Sequence, residues 1–243
     1  MQVAICSDIH GNRHGFEAVI AAAHEAGVDE MWCLGDLVGY GAEPDACVAL
    51  ADEHCSIVLA GNHDLAVTGA LSLEDFSRGA ALAARWTRET IKPETMEWLS
   101  ELSPEGTGQG IGLFHASPRD PVWEYVLSNL TAEMCFDSTD FRVSFIGHSH
   151  VALSFTRVEG EPAAGTTRRE GTELDLSESE WLINPGSAGQ PRDGDPRAAW
   201  LLLDTDAKTA VFHRTEYDIA GAQAAIRAAR LPDSLAERLQ YGQ

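Results

Sequence analysis

The chain has 243 residues, 44% of them apolar and 23% charged, long enough to bury a sizeable core without disulfide staples. Acidic residues outnumber basic ones 38 to 17, for a net charge of −21. That balance excludes a general duplex-nucleic-acid surface, which needs clustered Lys and Arg against phosphates, and suits solubility and the attraction of cations.

In chain order, Val3 to Cys6 is an apolar run that predicts a strand ending at Ser7-Asp8. Asp8 arrives too early for a secretory signal core, and no run of about 18 apolar residues exists to span a membrane, so a cytoplasmic location is expected. A helix is predicted from His14 to Ala26, with Phe16, Val19, Ile20 and Ala23 on one face and Gly27 as its C-terminal cap. Met31 to Leu34 predicts a second strand ending at Gly35-Asp36, Pro44 opens a helix to Glu53, and Ile57 to Ala60 predicts a third strand ending at Gly61-Asn62. This alternation argues for parallel strands joined by crossover helices.

Leu73 to Ile91 reads as one long amphipathic helix, Pro93 to Leu102 as a shorter one, and Gly106 to Gly110 as a loop. Strands follow at Ile111 to Phe114, ending at His115, and at Val143 to Ile146, ending at Gly147-His148. Beyond them, the runs 153–158, 173–176, 181–183, 198–203 and 210–216 predict an antiparallel meander, with Glu159 to Gly171 as an exposed hairpin loop. The tail from 219 to 240 carries two short helical patterns split at Leu231-Pro232. Its stripe of Ala222, Ala225, Ile226 and Ala229 suits packing on a sheet or a homo-oligomer contact. No linker or repeat divides the chain, so one domain over 1–243 is expected. The five cysteines form no Cys-x-x-Cys pair, which fits reduced, inert thiols.

Five predicted strands end in polar residues of one chemical kind: Asp8-Ile9-His10, Asp36, Asn62-His63-Asp64, His115, and His148-Ser149-His150. In open α/β sheets, sites form beyond the carboxyl ends of the strands. Carboxylate, amide oxygen and neutral imidazole together suit Mn²⁺, Fe²⁺, Ni²⁺ or Zn²⁺. The Asp-x-His and His-x-His pairs are expected to converge because residues just past a strand keep a period near two. Gly11, Gly35, Gly61 and Gly147 beside them permit sharp turns.

Taken together, Asp8-Ile9-His10, Gly35-Asp36, Gly61-Asn62-His63-Asp64, His115 and Gly147-His148-Ser149-His150 resemble the signature of the calcineurin-like metallophosphoesterase superfamily over residues 3 to 150. Asn184-Pro185-Gly186-Ser187 with Gln190-Pro191-Arg192 resembles its small bacterial and archaeal phosphodiesterase branch. The resemblance implies an α/β sandwich of two packed mixed β-sheets flanked by helices. It implies two divalent metal ions, one held by Asp8, His10 and His150, the other by Asn62, His115 and His148, with Asp36 bridging. It also implies hydrolysis of a small phosphate ester or nucleotide by metal-activated hydroxide, with no duplex nucleic acid and no membrane as partner.

His63 is the candidate general acid, with Asp64 expected to orient it or raise its pKa. Asn12, Arg119 and Arg192 are candidate substrate contacts, and Tyr40, Trp123 and Tyr125 are aromatic candidates. The protein-phosphatase and dinucleoside-tetraphosphatase branches carry an Arg soon after Gly-Asp, whereas Leu37 to Gly41 contains none. Phosphomonoester or dinucleoside-polyphosphate hydrolysis and a catalytically silent metal-binding scaffold are the competing readings.

Overall fold

The computed structural model describes residues 1–243. The chain runs β1 (Gln2–Cys6), α1 (Arg13–Ala26), β2 (Glu30–Cys33), α2 (Pro44–His54), β3 (Ile57–Val58), α3 (Asn62–Thr68), α4 (Arg78–Thr90) and α5 (Pro93–Ser100). There follow β4 (Glu105–Gly108), β5 (Ile111–Phe114), α6 (Asn129–Phe136), β6 (Val143–Phe145), β7 (Ala152–Arg157), β8 (Ala164–Thr167), β9 (Glu173–Asp175) and β10 (Glu180–Pro185). The last elements are β11 (Ala198–Asp204), β12 (Thr209–Thr215), α7 (Ile219–Ala228) and α8 (Asp233–Glu237), with a closing 3₁₀ turn over Arg238–Tyr241.

Two mixed six-stranded sheets result, in the orders β3-β2-β1-β11-β12-β9 and β4-β5-β6-β10-β7-β8. The first three strands pair in parallel, as the β-α-β-α-β rhythm requires, and β11 joins β1 antiparallel. Strand alternation then assigns each side chain a layer. Val3, Ile5, Trp32 and Leu34 face Leu113, Phe145 and Ile183 of the other sheet, with Leu201, Leu203 and Phe212 in the same core. Ala4, Cys6, Met31 and Cys33 face the opposite way, onto Phe16, Val19 and Ala23 of α1 and Cys47, Val48 and Ala51 of α2. The outer face of the second sheet is covered by α6 through Ala132, Cys135 and Phe136.

Several elements differ from expectation. The predicted helix over 73–91 is broken: Leu73–Asp75 is a 3₁₀ turn, Phe76 is extended, and Ser77 caps α4 by accepting from the Ala80 amide. Two serines offer the backbone local partners that compete with a continuous helix, Ser72 accepting from the Glu74 amide and Ser77 from the Ala80 amide. Gly106 lies in a strand, because Glu105–Gly108 pairs antiparallel with β5 and only Gln109 and Gly110, both left-handed, form the turn. The segment 159–171 contains the wholly exposed β8, and α3 and α6 were not anticipated.

The tail stripe packs neither on a sheet nor, within this chain, against empty space. Ala222 and Ile226 join Leu231, Leu235, Ala236 and Leu239 around Ala83 of α4, with Tyr40 and Trp86 at the margin. All five cysteines are free thiols.

Candidate metal centre

The strand ends of both sheets meet at one place. Asp8 follows β1, Asp36 follows β2, Asn62 opens α3, His115 follows β5, and His148 and His150 lie between β6 and β7. All seven are buried. The pairs converge, but not by the continued strand alternation expected from the sequence. Asp8, His10, Asp36, His148 and His150 all have positive φ, between 50° and 65°. Each is a non-glycine residue in the left-handed region, a conformation that costs free energy and survives only where surrounding structure enforces it.

The enforcing contacts are visible. The His148 amide donates to the Asp8 carboxylate at 3.1 and 3.2 Å, and the His63 amide donates to Asp36 Oδ1 at 2.8 Å. Asn184 Nδ2 donates to the Gly147 carbonyl at 2.6 Å and to Ser149 Oγ at 3.0 Å, while Ser187 Oγ donates to the Asp8 carbonyl at 2.7 Å. The Asn184-to-Ser187 segment thus clamps the first ligand loop to the last. Gly61 must be glycine because a Cβ there would lie 2.0 Å from Asp36 Oδ1.

Ligand-capable atoms of Asp8, His10, Asp36 and His150 lie within 4.8 Å of one another, and those of Asp36, His115 and His148 form a second such group. Asn62 Oδ1 sits 3.2 Å from His115 Nε2, so it belongs beside the second. Asp36 is common to both groups.

The hydrogen-bond pattern tests whether cations fit. His10, His115 and His150 face backbone carbonyls with Nδ1: Val38 at 3.1 Å, Leu34 at 2.8 Å and Gln190 at 2.6 Å. A carbonyl only accepts, so each Nδ1 carries a proton, and in the neutral ring Nε2 is the lone-pair atom. Yet His10 Nε2 and His150 Nε2 are 2.9 Å apart, His10 Nε2 and Asp36 Oδ2 are 3.4 Å apart, and His150 Nε2 and Asp8 Oδ1 are also 3.4 Å apart. His148 Nε2 is buried with no partner. Acceptors aimed at acceptors in a buried site call for positive charge among them. Burial points the same way: it pushes Asp8 up to about 7 and Asp36 well above the usual carboxylate range, and holds His10, His148 and His150 well below the usual imidazole range. The residues present fit divalent cations.

A cavity of about 300 Å³ opens onto this cluster, lined by Asp36, Asn62, His63, His148 and His150, by Tyr40, Phe76, Trp123 and Tyr125, and by Arg192 and Arg238. Tyr125 stacks on His148 at 4.0 Å between ring centroids, and Arg192 lies over Tyr40. A larger groove of about 710 Å³ between α6 and the β7–β8 hairpin holds no His or Cys.

Three expectations need correction. Asp64 does not touch His63: its carboxylate accepts from the amides of Gly61, Leu37 and Val38, tying the ligand loop after β2 to the start of α3. His63 is accordingly not raised; burial, then the Arg192 charge, hold it down to about 3. Asn12 is fully engaged as a cap, accepting from the Gly15 amide and donating to the Gly189 carbonyl. Arg119 pairs with Glu124 at 3.1 Å and does not line the cavity.

Phe76, Arg238 and Gly39 also shape the cavity, and no motif in the sequence marks them. A Cβ on Gly39, whose φ is +86°, would meet His63 Nδ1 at 2.3 Å, so Gly39→Ala is expected to cost about 1–3 kcal/mol of stability. Urea denaturation checks this, and an unchanged midpoint would refute the close approach.

Comparison with known proteins identifies the family. A family model for the calcineurin-like phosphoesterase superfamily domain matches residues 1–208. An uncharacterised protein of Methanocaldococcus jannaschii is 36% identical over 245 residues, covering 99% of this chain and 98% of that protein. The crystal structure of a metallophosphoesterase from Sphaerobacter thermophilus superposes with a TM-score of 0.89 at 39% identity, covering 100% and 99% of the two chains. A hypothetical protein from Pyrococcus horikoshii shares the fold, with a TM-score of 0.78 at 17% identity over 100% and 98% of the chains.

Proposed function

The chain belongs to the calcineurin-like phosphoesterase superfamily, and from that premise we propose that it is a dinuclear metal-dependent hydrolase of a small phosphodiester or nucleotide. One observation carries the proposal: two buried groups of acceptor atoms share Asp36 and open onto a cavity that also holds His63 and Arg192.

Asp8, His10 and His150 would hold one ion, Asn62, His115 and His148 the other, and Asp36 would touch both. Bound there, the ions supply positive charge against phosphoryl oxygens and acidify water. The chain's own groups do the rest. Each Nδ1 bond to a backbone carbonyl fixes its imidazole with the lone pair inward, so binding requires no tautomer change. Arg192, tethered to Gln190 Oε1 at 3.0 Å, presents its guanidinium to an anionic ester. His63 stands in the cavity beside Asn62 without joining either acceptor group. Its Nδ1 has no partner, so neither ring nitrogen is committed to holding the other. A phosphate anion in the cavity opposes the Arg192 and burial effects that keep this ring neutral, which favours proton donation to the leaving oxygen.

Replacing His63 by alanine is expected to keep bound metal near the wild-type amount, read by elemental analysis. Turnover of an ester with a poor leaving group should fall about 10²- to 10⁴-fold. Unchanged turnover removes His63 from the mechanism. The function itself is tested with bis(p-nitrophenyl) phosphate and p-nitrophenyl phosphate in Mn²⁺, Fe²⁺, Ni²⁺ or Zn²⁺. Faster diester hydrolysis supports the proposal, faster monoester hydrolysis favours a phosphomonoesterase, and hydrolysis of neither leaves the metal-binding scaffold.

A further inference from the structure

The C-terminal segment, which carried no recognisable chemistry in the sequence, brings a second guanidinium into the cavity. Arg238 lines it together with Arg192. Like-charged side chains sharing one cavity are unfavourable unless something compensates, and the repulsion is felt: burial and then Arg192 hold the Arg238 pKa below its ordinary value. Neither guanidinium pairs with an Asp or Glu side chain. Arg192 donates to the neutral Gln190 amide, its Nε is buried without a partner, and Arg238 donates through Nε to the Gln243 main-chain oxygen. In a chain with 38 acidic residues, an arginine pair lining one cavity without an Asp or Glu side chain as salt-bridge partner is conspicuous, and Asp36 and the exposed Asp75, which line the same cavity, pair with neither.

The placement is built. Leu235, Ala236 and Leu239 on either side of Arg238 are buried against Ala83, which seats the segment on α4. The end of the segment then docks on the loop that carries Arg192: the Gly194 amide donates to the Gly242 carbonyl at 3.0 Å. Gly242 has φ +62°, and a Cβ there would lie 2.7 Å from the Asp195 backbone, so only glycine allows the approach. Two arginines distant in sequence are therefore held in fixed relation to each other and to the acceptor cluster.

We propose that Arg238 and Arg192 form a second-anion subsite beside the metal centre, selecting phosphate esters that carry a further phosphate group. Phe76 and Trp123, in edge contact at 5.1 Å, offer the same ligand an aromatic wall for a planar base. The inference rests on the phosphoesterase reading for which group is cleaved, but its binding consequence is separable.

The test uses the full chain loaded with Mn²⁺ and two probes that differ by one phosphate, adenosine 3′,5′-bisphosphate and adenosine 5′-monophosphate, titrated calorimetrically. Wild-type protein should bind the bisphosphate about tenfold more tightly or better, as a charge-assisted hydrogen bond implies. Arg238→Gln should reduce the preference to about threefold or less, Arg238→Lys should keep part of it, and Arg85→Gln, an exposed charge-matched control on α4, should keep all of it. Equal affinities in the wild type, or an undiminished preference in a folded Arg238→Gln protein, overturns the subsite. Should that variant fail to fold, the wild-type comparison and Arg192→Gln decide. Hydrolysis of bis(p-nitrophenyl) phosphate and p-nitrophenyl phosphate is followed separately: hydrolysis of neither, alongside a clear bisphosphate preference, overturns the enzyme reading and leaves the subsite standing.

Discussion

Asp36→Asn is expected to abolish turnover, by about 10³-fold or more, the upper end of what losing one group costs in a preorganised electrostatic site. Asp36 is the one residue common to both acceptor groups, with Oδ2 at 3.4 Å from His10 Nε2 and 3.6 Å from His115 Nε2. The amide keeps the volume, and its oxygen can still accept from the His63 amide, so the loop has no reason to move. What disappears is the shared negative charge. Elemental analysis after dialysis should show fewer than two ions per chain. The metal-free variant should also melt at or above the metal-free wild type. Asp36 is buried, and burial followed by the nearby Asp64 charge drives its pKa well up, so its ionised form is a liability to the empty fold. Removing such a liability commonly adds about 0.5–2 kcal/mol. Wild-type turnover with two ions bound would show that Asp36 bridges nothing.

That opposition between stability and function explains which parts of the site were legible in the sequence. Asp8, His10, Asp36, Asn62, His115, His148 and His150 could be read because apolar strands must end and polar, chemically matched residues at five successive ends are improbable by chance. How they converge could not be read. The left-handed turns at Asp8, His10, Asp36, His148 and His150 are enforced by contacts from residues as distant as Asn184 and Ser187, which periodicity along one segment does not encode. Asp64 illustrates the limit from the other side: adjacency to His63 suggested a catalytic pair, but its carboxylate is claimed by the Gly61 amide at the start of α3 and by the Leu37 and Val38 amides of the loop after β2. The docking of Arg238 depends on tertiary packing, and the helical pattern in 73–91 gave no notice that Phe76 would face the cavity.

Loading the chelator-treated protein with Mn²⁺ is expected to raise its melting temperature by about 5–10 °C when free metal is roughly a hundred times the dissociation constant. Mass action sets the scale at about 2.7 kcal/mol, and a chain of this size gains about 2–4 °C per kcal/mol. The cause is the same acceptor-to-acceptor packing: His10 Nε2 against His150 Nε2 at 2.9 Å and an unpartnered His148 Nε2 become favourable only with a cation between them. The effect has a pH dependence of definite sign. Burial pushes Asp8 up to about 7 from an ordinary 3.8, so ionising it costs the metal-free fold stability, progressively as pH rises from about 4 to about 7. A cation must displace that proton below pH 7 and need not above it, while His10, His148 and His150, held low by burial, stay neutral throughout. The Mn²⁺-induced shift should therefore be larger at pH 8 than at pH 6, and calorimetry in buffers of different ionisation enthalpy should record more proton release at pH 6 than at pH 8, the remainder at pH 8 coming from Asp36, which burial also pushes well up. A shift that is absent, or larger at pH 6, would mean that the buried acceptors are satisfied in some way other than by a divalent cation.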